Sequence, residues 1–401
     1  HSFPASRGCQ FRTHLLSCVG CVAVSNVLIC LLSAQSGGTH WGASLSWLVF
    51  SLVTFLLFFS LGVFCCMLCG WLPAMAVAYG AVNFVVIFCR ILADAMCSTF
   101  YPSYNDTAFS MGRDHIVVWL TPVLRLHQNL YEVYNNGSGP LLSAGTWKSL
   151  LVYGIAALVL LAAGALLYRI RRSEASGDTL AFRPLRPVVR WVVGILGGLG
   201  LGLVLAAMLS CTKNTPALLA CIVTLGLACM IVTQMLIART PRVFGKLWPE
   251  LLALCAVLLA LTLCIKADLF GFERRIPQTD QVESVVVYQR AIYGSKARIT
   301  DPEEIDAIVQ AHRYLVDCAA KENLGSDWLG KNTISITYHL KNGGTLSRQY
   351  QLRDEDRTAV RAMLETETFR RSLVLDDVNV NADALRHGYI TNFAKERRRE
   401  L

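Results

Sequence analysis

The feature that most constrains this chain is a series of seven long apolar stretches, approximately 15–34, 46–68, 72–96, 149–168, 191–210, 217–238 and 250–267, each nearly free of charge. A bilayer core of ~30 Å takes about 20 apolar residues in helical form, and only a helix or a closed barrel satisfies its own backbone in lipid. The stretches are too long and too uniformly apolar for strands. Seven buried helices of a globular protein would need far more polar chain around them than the first 267 residues hold. Composition agrees, because 54% hydrophobic and 16% charged residues with a mean hydropathy of +0.45 lie outside the range of ordinary soluble domains. The expected fold class is an α-helical polytopic membrane protein of about seven spans, followed by a small soluble α+β domain.

The net charge of +9 belongs to the first part, where residues 1–267 carry 17 Lys and Arg against 7 Asp and Glu, while residues 268–401 carry 20 against 21. These cations sit singly or in short loops with no continuous basic face, which argues against nucleic-acid binding. Basic residues near span ends stay cytoplasmic. Arg7 and Arg12 precede the first span, Arg169, Arg171, Arg172, Arg183, Arg186 and Arg190 lie between the fourth and fifth, and Arg239, Arg242 and Lys246 between the sixth and seventh. These segments fall on one side, so the outer loop 97–148 and everything after Asp268 are expected outside, in a multi-pass protein of the cell (plasma) membrane. The chain opens on His1 without an initiator Met or a signal-peptide pattern, and reads as a fragment that begins after its natural start.

Fourteen of the fifteen cysteines precede residue 268, mostly within spans. The run Cys65, Cys66 and Cys69 has no His or carboxylate beside it at lipid depth, so small apolar packing is expected rather than a metal site. The outer domain holds only Cys318 and cannot close an internal disulfide.

Two motifs carry a family resemblance. The start "HSFPASRGCQFRTHLLS" places His1, Ser2, Pro4 and Arg7 in a pattern similar to the H-S-L-P-x-x-R segment of ABC-2-type transporter permeases of Gram-positive (Firmicutes) bacteria. In the stretch "YRIRRSEASGDTLAFRPLRP", Tyr168, Arg171, Arg172, Ser173, Glu174, Gly177, Leu180, Ala181 and Phe182 resemble the Y-x-R-R-x-S-E-x-x-G-x-x-L-A-F loop of the same permeases. The start departs from that family at Phe3 and at Gly8-Cys9. The resemblance implies that His1, Ser2, Pro4, Arg7 and Arg12 (residues 1–14) form a cytoplasmic coupling helix touching an ATPase. Four spans over 15–168 then complete a six-span core whose first two spans lie upstream. Residues 169–190 form a basic cytoplasmic loop, in which Arg169, Arg171, Arg172, Glu174, Arg183 and Arg186 contact anionic lipid or the ATPase. Three further spans (191–267) and an extracytoplasmic α+β domain (268–401) follow, the latter approached through Phe272, Ile276 and Pro277. The amphipathic "VVWLTPVLRLHQNL", with its central Pro122, corresponds to short helices laid at the outer surface between the last two core spans.

Within the membrane, Arg90 and Asp94 stand four apart on the third span, so they share a helix face and can pair. They form either a polar element of the translocation path or a snorkelling interfacial pair. Gly194, Gly198 and Gly202 recur every fourth residue on the fifth span, which allows close approach of another helix, within or between subunits.

After residue 272 the pattern becomes soluble α+β. "VESVVVYQ" is strand-like. "TDPEEIDAIVQAHRYLVD" is a helix capped by Thr300 or Asp301. "TISITYHL" and "TLSRQYQL" form a hairpin around Asn342-Gly343, and "DEDRTAVRAMLETETF" returns to helical spacing. His312 has no ligand partner on its helix face and reads as structural.

No G-x-x-x-x-G-K-[ST], H-E-x-x-H or G-x-S-x-G motif occurs, so no catalytic, metal or cofactor-binding residues are assigned. The expected function, carried by the resemblance, is the permease subunit of an ATP-driven exporter of an amphiphile such as a lipid or peptide antibiotic. ATP-Mg would bind a separate ABC ATP-binding partner, and a second permease copy or homologue would complete the channel. The alternative is a membrane-anchored envelope sensor or assembly protein whose outer domain binds a ligand.

Overall fold

The computed structural model describes residues 7–35, 41–101, 103–105, 115–135, 142–171, 179–269, 271–289, 296–321, 333–342, 344–351, 389–392 and 397–400. Among these, seven helices are long and apolar enough to cross a membrane. They are α1 (Arg7–Gln35), α2 (Trp41–Leu68), α3 (Leu72–Phe100), α6 (Ala144–Ile170), α7 (Leu185–Met208), α8 (Thr215–Ala238) and α9 (Phe244–Lys266), with two short helices, α4 (Ile116–Leu120) and α5 (Pro122–Asn135), between α3 and α6. Large apolar side chains such as Leu72, Val77, Leu151 and Leu252 stand well exposed, a surface that suits lipid and not water. The chain is therefore a multi-pass helical membrane protein.

Most helices start several residues before the apolar stretch does, because helix formation is not confined to apolar residues. Two differences matter. Arg7 and Arg12 lie in the first turns of α1, and no break separates residues 7–14 from the first span. Similarly, the basic loop does not reach residue 190, because α7 begins at Leu185 with Pro184 as N-cap and Pro187 in its first turn, where a missing N–H costs nothing. Arg186 and Arg190 are thus helical.

Helix ends are set locally. Ser143 and Asn214 cap α6 and α8 by accepting from Thr146 N (3.3 Å) and Ala217 N (3.5 Å). The α7 terminus turns at Ser210 (φ 53°), with Ser210 N–H on the Ala207 carbonyl and Cys211 N–H on the Ala206 carbonyl, a Schellman motif. Asp268 (φ 46°) ends α9 in the same way, through Asp268 N–H to Ile265 O and Leu269 N–H to Cys264 O.

The chain divides into two compact units, His1–Ala95 with Thr107–Thr262, and Met96–Asp106 with Leu263–Leu401. In the first, α2 packs on α6 through Leu57, Leu61, Leu150 and Ala157. Helix α1 meets α2 through Ser33–Ser44 (3.1 Å) and Ser51–Asn26 (2.6 Å) hydroxyl contacts, and α7 packs on α8.

The second unit is α+β. β1 (Val282–Gln289), β2 (Lys296–Ile299), β3 (Thr333–Leu340) and β4 (Thr345–Gln351) form an antiparallel sheet in the order β2-β1-β3-β4. Alternation puts Val285, Val287, Ile334, Ile336 and Tyr338 on the face covered by Ile305, Ile308 and Leu315 of α10 (Pro302–Lys321). Asp301 caps α10 by accepting from Glu303 N–H at 3.2 Å. The sequence-derived helix over 354–369 lies outside the described residues. β5 (Tyr389–Asn392) and β6 (Arg397–Glu400) form a separate hairpin.

Candidate functional site

The intramembrane pair forms as the spacing implies. Arg90 Nη2 lies 3.0 Å from Asp94 Oδ1, with the aspartate side chain 4% exposed and the arginine 31%. Each charge offsets part of the other's cost of leaving water.

A second buried cation was not singled out by the sequence. Arg125 of α5 is 1% exposed. Its Nε donates to Ser149 Oγ at 3.0 Å, and its guanidinium sits 4.2 Å from the Trp119 ring centroid. Trp119 is fixed in turn, since its carbonyl accepts from the Tyr153 hydroxyl at 2.9 Å. Asn129, one helical turn after Arg125, and Thr146, one turn before Ser149, are fully buried. α4, α5 and the start of α6 therefore enclose a cation together with several hydroxyl and amide groups at one end of the bundle. The available signal was a face, Pro122-Arg125-Leu126-Asn129, that carries an arginine among its buried positions.

The basic segment is tied down at both described ends. Arg171 Nη1 donates to the Cys66 carbonyl (3.0 Å), Ala181 N–H to the Leu68 carbonyl (2.9 Å) and Thr179 Oγ1 to the Leu236 carbonyl (3.0 Å). Arg186 reaches the Leu180 carbonyl at 3.5 Å. Arg190 donates to Gln234 Oε1 at 2.6 Å and pairs with Glu250, linking the adjacent ends of α7, α8 and α9. Arg12, Arg169 and Arg183 are exposed, and the Phe11 ring lies tilted against Tyr168 with centroids 5.5 Å apart. His1, Ser2, Pro4, Arg172 and Glu174 lie outside the described residues, as does the side chain of Arg7. Among the described residues, no three His, Cys, Asp or Glu side chains gather as metal ligands.

The glycine stripe packs within the chain. A Cβ on Gly198 would lie 2.8 Å from Gly226 Cα, one on Gly202 would lie 2.5 Å from Ile222 Cα, and one on Gly194 would lie 3.0 Å from Leu254 Cδ2. Backbone meets backbone between α7 and α8, a contact that only hydrogen on Cα permits.

In the second unit, the segment after α3 adds to the sheet. Gln349 N–H donates to Ser103 O (3.0 Å), Tyr104 bridges Arg348, and Asn105 Nδ2 donates to Ser347 Oγ (2.8 Å). The β4 edge is thereby covered. Phe272 is the hub beside it, with Tyr101 stacked at 5.2 Å, Tyr104 at 5.6 Å and the Arg348 guanidinium at 3.9 Å. Arg348, 1% exposed, donates Nη2 to the Phe272 carbonyl at 2.6 Å, and the Tyr101 hydroxyl donates to the Ile265 carbonyl at 2.7 Å. Burial, reinforced by nearby Asp268, raises the Glu273 carboxyl above its usual range.

His312 is fully buried, its two ring nitrogens 3.0 Å and 2.9 Å from the Tyr338 and Tyr350 hydroxyls. Burial, then the Arg348 charge, lowers its pKa to about 4, so it is neutral near pH 7 and acts as a hydrogen-bonded core residue.

Fold and geometry together define a polytopic helical membrane protein with a small α+β domain. Comparisons with protein-family models, with curated proteins and with solved structures return no match.

Proposed function

We propose that this chain is the membrane permease of an ATP-driven exporter of the ABC-2 type, working with a separate ATP-hydrolysing subunit and a second permease. The observation that carries this reading is the α4–α5 pair. Two short helices, broken at Thr121-Pro122, stand between the third and fourth spans and bury Arg125 against the start of α6, in the place where the resemblance calls for helices at the outer surface. The cargo is an amphiphile, with the exposed apolar helix faces suiting its lipid-like part and the partly exposed Arg90 of the Arg90–Asp94 pair its polar end. Nucleotide binding by the partner would act on α1 through Arg7 and Arg12, and the equilibrium shifts only as far as those contacts differ between the two states.

Copurification tests the reading. The wild-type chain should bring down a nucleotide-hydrolysing partner whose activity falls when Arg7 and Arg12 are both replaced by Glu. An intact chain without such a partner overturns it. The second reading, an envelope sensor or assembly protein, draws on the separate hydrophobic core of the α+β unit, and gains support if that unit binds a ligand while no ATPase is recovered.

A further inference from the structure

The turn between α8 and α9 carries two exposed arginines on a fixed bend. Arg239 ends α8 at φ 54°, a left-handed conformation for which glycine is the ordinary occupant because it has no Cβ. Asp268, which shares that conformation, uses its side chain to offset the cost, its carboxylate accepting from Phe272 N–H at 2.6 Å and Glu273 N–H at 3.0 Å. The Arg239 side chain instead stands exposed. Arg242 donates its N–H to Thr240 Oγ1 (3.3 Å), Val243 N–H bonds the Pro241 carbonyl (3.1 Å), and the Arg242 side chain is exposed as well. No Asp or Glu occurs from residue 179 to 249, and Glu250 is engaged by Arg190, so positive charge is concentrated at this turn. Gln234 of α8 and Glu250 of α9 face Arg190 of α7. At about 100° per residue, positions two away lie about 200° around each helix, and there Val232, Leu236, Trp248 and Leu252 are all exposed. Trp248 lies about 6 Å of helical rise from the start of α9 at Phe244, and Leu252 about 12 Å. From the middle of the bundle outward the order is therefore aliphatic, aromatic, cationic, which is the order in which a bilayer presents acyl chain, interface and headgroup.

We propose that this turn binds the phosphate of an anionic phospholipid, with Arg239 and Arg242 on the headgroup, Trp248 at the level of the glycerol, and the acyl chains against Val232, Leu236 and Leu252. A guanidinium donates paired N–H bonds to phosphate oxygens, and a zwitterionic headgroup brings its own cation to a site that is already cationic. Topology alone needs only positive charge near the span ends, which an arginine in unstrained backbone supplies as well as Arg239 does. An ATPase would meet the arginines, but Trp248, Leu236 and Leu252 stand beneath them at lipid depth, which favours a lipid. The proposal depends on the spanning helices and not on the cargo or the ATPase of the proposed function.

The test uses the full chain in vesicles of phosphatidylcholine with increasing fractions of phosphatidylglycerol, each lipid in turn carrying brominated acyl chains. Bromine quenches tryptophan emission on contact, and the part of the quenching lost in Trp248→Phe reports this site. Each arginine near the membrane surface is worth about fivefold in binding, so Trp248 should prefer phosphatidylglycerol by about 25-fold. Arg242→Gln should reduce the preference to about fivefold. Arg239→Gly should reduce it equally, while the chain withstands at least as much denaturant in phosphatidylcholine micelles as the parent, because glycine adopts φ 54° freely. That variant separates lost binding from lost folding. Equal quenching by the two lipids in the wild-type chain overturns the proposal, and so does a preference that survives Arg239→Gly and Arg242→Gln together. If that double variant keeps its lipid preference and loses the copurified ATPase, the turn belongs to the protein partner, and the proposal fails while the permease reading stands. A wild-type chain that shows the preference but recovers no ATPase keeps the proposal and sinks the permease reading.

Discussion

Replacing Gly202 by Ala tests the packing of α7 on α8 with a single methyl group. The added Cβ would stand 2.5 Å from Ile222 Cα, 2.9 Å from its Cγ1 and 3.0 Å from its N, where ordinary contacts are 3.4–4 Å. The atoms in the way are mostly backbone, so the side chain cannot yield and the helices must part by about 1 Å at that level. A gap of 0.5–1 Å forfeits a quarter to a half of each dispersion contact, and overpacking of this kind costs about 1–3 kcal/mol. Gly154→Ala on α6 is the control, because nothing lies within 4 Å of its Cβ, and removing a helical glycine there should stabilise by about 0.5–1 kcal/mol. Reversible unfolding in mixed micelles, followed by helical signal, should therefore separate the two variants by about 2–3 kcal/mol in opposite directions from the parent. If Gly202→Ala is as stable as Gly154→Ala, the close α7–α8 approach is wrong.

Other outcomes follow from the same geometry. Arg190→Met should destabilise the chain by about 1 kcal/mol, a modest figure because Glu250 is partly open to solvent, and adding Glu250→Gln should recover much of that in a double-mutant cycle. Gln349→Pro removes the N–H that bonds Ser103 while leaving the β3 side of the strand intact, so hydrogen exchange over 101–105 should accelerate about fivefold, as expected for a bond worth about 1 kcal/mol, and β1 and β3 should keep their protection. His312 has a folded pKa of about 4 against an ordinary 6.5, so the unfolded chain binds its proton first. Stability of the α+β unit should be at its full value above pH 6.5 and fall by about 3 kcal/mol as the pH drops through 6.5 to 4. A His312→Gln variant should show a flatter decline in urea titrations across that window.

The spans were legible because their signal is uninterrupted apolarity, which needs no partner to be read. The strands β1, β3 and β4 and the cap at Asp301 were legible for a similar reason, since alternation, a turn pair and a capping carboxylate are local. What escaped is non-local or short. β2 has four residues, too few for alternation to register, and the 103–105 segment becomes part of the sheet only through residues some 240 positions away. Arg190 looked like one more loop cation because its partners, Gln234 and Glu250, come from two other helices. Arg125 lay within a stretch recognised as amphipathic, but only Ser149 and Trp119 show that it turns inward.

The most direct test of the central claim is protease protection in right-side-out vesicles. A protease added outside should cut within residues 268–401 and spare 169–190, placing the α+β domain outside and the basic segment where ATP is available. Cleavage of the basic segment with the domain protected would contradict the orientation on which the permease reading depends.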